Sequence, residues 1–233
     1  PLEQMSTHLP AGCGDYQAVV AANHAGIVAD EKYLAYAGAM NIYTLYRVHN
    51  YHFKLYGAMF LGQYDAAMEA VAGLAKTVPE GYLQWEYPRM ANVVEGYLSI
   101  YVHAYIRFGR WQDLLALALP EDREIYAMTT AMVYYGRAVA HAVLGQIDAA
   151  TTEQALFEAA IPNVPKQRYM HTVRCQDILA VGREMLAGEL LYRTGDFDRA
   201  FAHLRQAVVL EDALPYDEPW GWMQPGRHAL GAL

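Results

Sequence analysis

Apolar and small residues recur along this chain at the spacing of an α-helix face, and the recurrence breaks at a set of glycines. Over residues 49–71 (HNYHFKLYGAMFLGQYDAAMEAV) the order reads as one helix, a reversal at Leu61-Gly62-Gln63, and a second helix packed back on the first. An aromatic residue, Tyr64, follows Gly62 by two positions, and Ala67 follows three later. The same Gly-x-apolar-x-x-small order starts at Gly14, Gly109, Gly145 and Gly195, so the five turns are spaced 48, 47, 36 and 50 residues apart. Each glycine stands where a helix must end and reverse, which suits a left-handed C-cap. The apolar residue two positions on (Tyr16, Tyr64, Trp111, Ile147, Phe197) is placed to wedge between the two helices. Ala67, Ala150 and Ala200 allow close helix approach, Val19 and Leu114 are looser versions, and Gly188 adds a small residue seven before the fifth turn.

Recurrence of this kind is the signature of a repeat array. The pattern resembles the tetratricopeptide repeat, in which antiparallel helix pairs stack into a right-handed superhelix around a concave groove. The resemblance covers most of the chain and is closest over 187–207. It implies an all-α, right-handed α-solenoid of about five and a half helix pairs, forming one continuous array over 1–233. Three of the gaps exceed the usual period by roughly 13 to 16 residues, and the excess falls at 31–47, 79–96 and 162–179. Segments of that length are expected to be ordered connections or extra helical turns. Residues 225–233 (PGRHALGAL) read as the first helix of a sixth pair, with the expectation that the array continues. Pro10 lies four residues before Gly14, and a mid-helix proline costs about 3 kcal/mol, so the first helix is expected to be short or incomplete.

Three strings are similar to a bacterial group of tetratricopeptide-type proteins without an assigned function: HNYHF at 49–53, RFGRW at 107–111 and DEPWGWMQP at 217–225. That group often carries His-x-Pro-Ser-His near its first repeat. Here His8-Leu9-Pro10-Ala11-Gly12 keeps the first His and the Pro, with Gly12 in place of the second His. The resemblance implies a fold and supplies no substrate.

Composition narrows the classes. The chain is 55% hydrophobic and 18% charged, ample for a core. Its 25 acids against 17 bases give a net charge of -8, which argues against a phosphate-binding face and so against nucleic acid. No run of 18 apolar residues predicts a membrane span. Cys13 and Cys175 lack CxxC spacing and read as reduced, buried thiols, which fits a cytoplasmic protein. Nineteen tyrosines, most at helical spacing, read as fillers between helices.

In tetratricopeptide-like folds the first helix of each pair lines the groove. Carried onto this chain, that rule points His49, His52 and Tyr56 inward from the second pair, His103 and Arg107 from the third, Tyr135 from the fourth, and Glu189, Tyr192 and Arg193 from the fifth. His228 follows from the sixth, and His8 is a further candidate. His49 and His52 share a helix face as an i, i+3 pair. With His103, and His8 as a possible fourth ligand, they could hold a divalent transition metal such as zinc, copper or iron. The alternative is that these imidazoles hydrogen-bond at the interface between pairs or contact a ligand directly.

Arg107, Glu189, Arg193 and Arg227 form a second group. They read either as a bidentate clamp for a carboxylate or phosphate or as a ladder of salt bridges. Glu86 and Glu95 could pair for acid–base work, and Cys175, with His171 and Asp177 near it in sequence, could act as a nucleophile. A buried thiol is the better reading. Trp220 and Trp222 are expected to seal the edge of the stack, with a stacking platform for a ligand as the alternative. The leading expectation is a scaffold binding a peptide, a partner protein or a small polar ligand in a His/Tyr/Arg-lined groove. A metal-binding or metal-dependent enzyme comes second, a ligand-free assembly module third, and open ends suit a homodimer. A groove plugged by the chain's own side chains would disprove the scaffold reading.

Overall fold

The computed structural model describes residues 7–86 and 89–233. Over these residues the chain is all-α apart from one two-stranded hairpin. The helices are α1 (His8–Cys13), α2 (Tyr16–Ala37), α3 (Thr44–Leu61), α4 (Tyr64–Thr77), α5 (Ala91–Val94), α6 (Tyr101–Arg107), α7 (Trp111–Ala116), α8 (Ala127–Val143), α9 (Ile147–Ala160), α10 (Cys175–Arg193), α11 (Phe197–Asp212) and α12 (Gly226–Ala232). Strands β1 (Tyr169–Met170) and β2 (Val173–Arg174) pair antiparallel just before α10. No helix among the described residues is long and apolar enough to cross a membrane.

The five glycine turns fall where the sequence places them, between α1 and α2, α3 and α4, α6 and α7, α8 and α9, and α10 and α11. Gly14, Gly62, Gly109, Gly145 and Gly195 all have φ between 65° and 84°. All five make the same pair of bonds. At Gly62 its N–H donates to Met59 O (3.3 Å) and the next N–H, of Gln63, to Ala58 O (2.9 Å). Gly145 to Ala142 and Gln146 to His141 repeat this, as do Gly195 to Tyr192 and Asp196 to Leu191. This nested pattern is the Schellman motif, which satisfies helix carbonyls that would otherwise lack partners.

Beyond each turn the position expected to be small is fully buried: Val19, Ala67, Leu114, Ala150 and Ala200 are all 0% exposed. A Cβ at Gly188 would lie 2.7 Å from Leu204 Cγ, so α10 and α11 meet there without room for a side chain. The expected wedges differ from the structure. Tyr16 stacks on Phe60 (ring centroids 4.5 Å) and Tyr64 packs on Phe108 (5.3 Å), so both reach the first helix of the next pair. Tyr64 and Phe197 stay 36% and 51% exposed. At the first position of a helix the side chain projects back over the turn, towards the rim rather than the core.

Helices pack on their sequence neighbours, and the first helices of successive pairs also meet, α3 on α6, α6 on α8 and α8 on α10. Helix α1 is short, as expected. It begins at His8, which places Pro10 in the first turn, where its missing N–H has no intrahelical partner to lose. The described residues of the long connections are ordered. Residues 31–37 extend α2. In 79–96, Tyr82 is fully buried and its hydroxyl donates to Asn41 O at 3.0 Å. Residues 162–179 hold the hairpin and the start of α10. His171 opens the two-residue hairpin loop at φ 52°, a position that such loops give to glycine in type II′ turns.

Candidate functional site

Helices α3, α6, α8 and α10 share a face, and the segment 213–225 between α11 and α12 lies across it. Trp222 (1% exposed) meets His103 on α6 and Tyr135 on α8 in T-shaped contacts, with ring centroids at 4.5 and 5.3 Å. A Cβ on Gly182 of α10 would sit 3.0 Å from the Trp222 ring. Met223 is fully buried, its Sδ 2.9 Å from His52 Nε2 on α3, and Gln224 Nε2 donates to His103 O at 2.6 Å. Trp222 therefore fills the middle of the face instead of sealing an edge. Trp220 stays 43% exposed beside Tyr216.

One side of this segment is a histidine cluster. His49 and His52 lie together on α3, ring centroids 5.9 Å apart, and His8 comes within 6.2 Å of His49. His171 stacks on His49 at 4.9 Å. Both flanking imidazoles meet a carboxylate from the crossing segment, His8 Nδ1 with Glu218 Oε2 at 2.5 Å and His171 Nδ1 with Asp217 Oδ1. Asp217 is buried and also accepts the N–H groups of Thr172 (3.2 Å) and Glu218 (2.8 Å). The hydrogen bond to Asp217 raises the His171 pKa above the ordinary imidazole value. Burial, helped by the charges of His171 and His8, pushes His49 down to about 3. Burial likewise pushes His52 well down. The Nδ1 atoms of His49 and His52 are buried without a partner.

The expected metal set of His49, His52 and His103 is not assembled, because Trp222 and Met223 lie between the His103 ring and the pair on α3. Among the described residues no group of three or more His, Cys, Asp and Glu side chains is placed to hold a metal ion.

On the other side lies a cavity of about 110 Å³, lined by His103, Tyr135, Glu189 and Trp222 among mostly apolar neighbours. His103 is 4% and Tyr135 5% exposed, and neither the His103 ring nitrogens nor the Tyr135 hydroxyl has a hydrogen-bond partner among the described residues. Burial alone lowers the His103 pKa to about 3, so the ring is neutral. Burial, then the Glu189 charge, raises the Tyr135 phenol, which keeps its proton. Three of the groove residues expected from sequence, His103, Tyr135 and Glu189, thus converge here.

The others do not. Tyr56 is 4% exposed and packs on Phe60 and Tyr16. Tyr192 packs on Phe197. Arg107 donates to Met59 O (3.1 Å) and lines, with His228, a crevice of about 10 Å³, room for a single water at most. Arg193 pairs with Glu189 four residues back, and Arg227 binds Asp212 through two nitrogens (2.7 and 2.6 Å). No arginine clamp is formed, since each guanidinium already has an acceptor. Glu86 and Glu95 do not form a carboxylate pair. Glu95 is fully buried against Arg168 (2.5 Å) and accepts the N–H groups of Met128 and Thr129 at the start of α8, while Glu86 pairs with Arg89 through the backbone, as an isolated β-bridge. Cys175 is fully buried, its thiol raised above its ordinary pKa by burial and the Glu95 charge, and His171 turns to Asp217 instead; Cys13 is exposed.

Sequence reasoning set His171 beside Cys175 and missed its place against His49, together with the carboxylates of Asp217 and Glu218. The available signal is the string DEPWGWMQP, which carries the family resemblance and the two carboxylates together. Compared with known proteins, the chain matches no protein-family model, no curated protein and no solved structure.

Proposed function

We propose that the chain is a tetratricopeptide-like helical array whose concave face binds a small molecule. Five identical Schellman turns, five buried positions behind them and contacts between successive first helices support the array. The crossing segment fills the middle of the face, so an extended peptide has no continuous groove there. The observation that carries the small-ligand reading is the cavity at His103 and Tyr135. Two nearly buried polar groups without a hydrogen-bond partner among the described residues line the cavity, and convergent polar groups in a mostly apolar pocket are what orient a small ligand. Calorimetric titration with small polar fragments tests it. Binding that weakens in both His103→Phe and Tyr135→Phe supports the reading, and binding unaffected by either refutes it.

One observation favours a second reading, a transition-metal site in the histidine cluster. His8 and His171 both give Nδ1 to a carboxylate, the usual support of a metal-ligating imidazole, beside the unpartnered Nδ1 of His49. Side chains would have to shift to converge on an ion. Plasma mass spectrometry of the untagged protein beside a His49→Ala/His52→Ala variant decides it. Near-stoichiometric zinc, copper or iron in the first and none in the second supports the site, and no metal in either refutes it.

A further inference from the structure

We infer that the cavity walled by His103, Tyr135, Glu189 and Trp222 selects a small organic cation, a primary or methylated amine, with its nitrogen at Glu189. The inference rests on the small-ligand reading above and names its ligand class. Among the residues lining the cavity Glu189 is the one with a formal charge. Its Oε1 accepts a hydrogen bond from Arg193 Nε at 2.8 Å and lies 2.8 Å from Nη2, and its Oε2 makes no hydrogen bond among the described residues. Arg193 is not part of the lining and its ion pair uses Oε1, which leaves Oε2 for an ammonium group.

The remaining wall suits the same class. The neutral His103 ring can accept an N–H and adds no repelling charge, and the tyrosine and tryptophan rings offer π surface to a cation. Ile106, Val139 and Leu204 offer apolar surface to a short carbon chain. An anion would meet a carboxylate with no cation in the lining to offset it. Size sets the upper limit. A cavity of about 150 Å³ holds benzene, so 110 Å³ encloses only a shorter molecule of about four or five non-hydrogen atoms.

The test is calorimetric titration of the full chain in an amine-free phosphate buffer with propylammonium, 1-propanol and propionate, which are matched in size. Propylammonium is expected to bind at least about tenfold more tightly than either of the others. Glu189→Gln should remove that preference while keeping the affinity for propanol, and Tyr135→Phe should weaken propylammonium, which locates it in this cavity. Propanol binding as tightly as propylammonium would overturn the cation inference and leave the small-ligand site standing. Propionate binding most tightly would overturn it in favour of Arg193 as the charged partner. No binding of any of the three by the wild-type protein would overturn both readings.

Discussion

Burial of the His103 imidazole makes a specific demand on the pH dependence of stability. Desolvation alone holds its folded pKa at about 3, against about 6.5 in an unfolded chain. Below the unfolded value the open chain takes up a proton that the folded chain refuses, so stability is lost as the pH falls. The linkage slope is about 1.4 kcal/mol per pH unit for one such group, which integrates to about 2 kcal/mol between about pH 7 and about pH 5. The perturbation is His103→Phe, which keeps a ring against Trp222 and removes the titrating nitrogens. Urea unfolding of both proteins at each pH gives the quantity of interest, a difference of differences. His49 and His52 act in the same direction as His103, while His171, Glu95 and Glu211, whose folded pKa values are raised, oppose it. All of these are common to both proteins and cancel, apart from the smallest of the charge effects on His52, which comes from His103. The wild type should lose about 2 kcal/mol more than the variant. Equal losses would refute the assignment of His103 as a neutral, solvent-excluded base.

Three other outcomes follow from the geometry. Glu95→Gln leaves Arg168 buried without its counter-charge and should destabilise by about 3–5 kcal/mol in urea melts, part of it recovered by adding Arg168→Met; a loss below about 1 kcal/mol contradicts the buried pair. Gly195→Ala, at φ 84° with open space around its Cβ position, should lower stability by about 1–2 kcal/mol through backbone strain alone; unchanged stability would contradict the left-handed cap. Asp217→Asn should bring the His171 pKa down towards its ordinary value, read as a lower midpoint of its ring proton shifts in an NMR titration, and an unmoved midpoint would show that Asp217 is not its partner.

The turns were legible because each is decided by a few adjacent residues. Gly62 can take a positive φ at no steric cost, and Ala67 is small where two helices touch, so both requirements are visible in one six-residue window. The groove positions were legible as far as helical spacing carries, which is why His103, Tyr135 and Glu189 were anticipated as inward-facing and do meet at one cavity. What fills the space between them was not legible. Trp222 meets His103, Tyr135 and Gly182 from far along the chain, and no local pattern says that a connection will fold inward instead of lying outside. The same gap explains the metal expectation. His49, His52 and His103 were grouped by register, while the imidazoles that join the His49–His52 pair are His171, held at a positive φ uncommon for a non-glycine residue, and His8, reached from the other end of the described chain.

The crossing segment also bears on how the molecule assembles. An array in which helices touch only their sequence neighbours can gain and lose structure piecemeal, each pair stabilised by the next. Here His52 and Met223 are 171 positions apart, and His8 and Glu218 are 210 apart. Such bonds close very long loops and form late, after the loop-closure entropy has been offset by other contacts. They couple the first helices to residues synthesised much later, so the described chain should unfold as one cooperative unit and not fray pair by pair. During synthesis α3 would emerge with His49 and His52 uncovered, and its inner face would stay wet until residues 213–225 leave the ribosome.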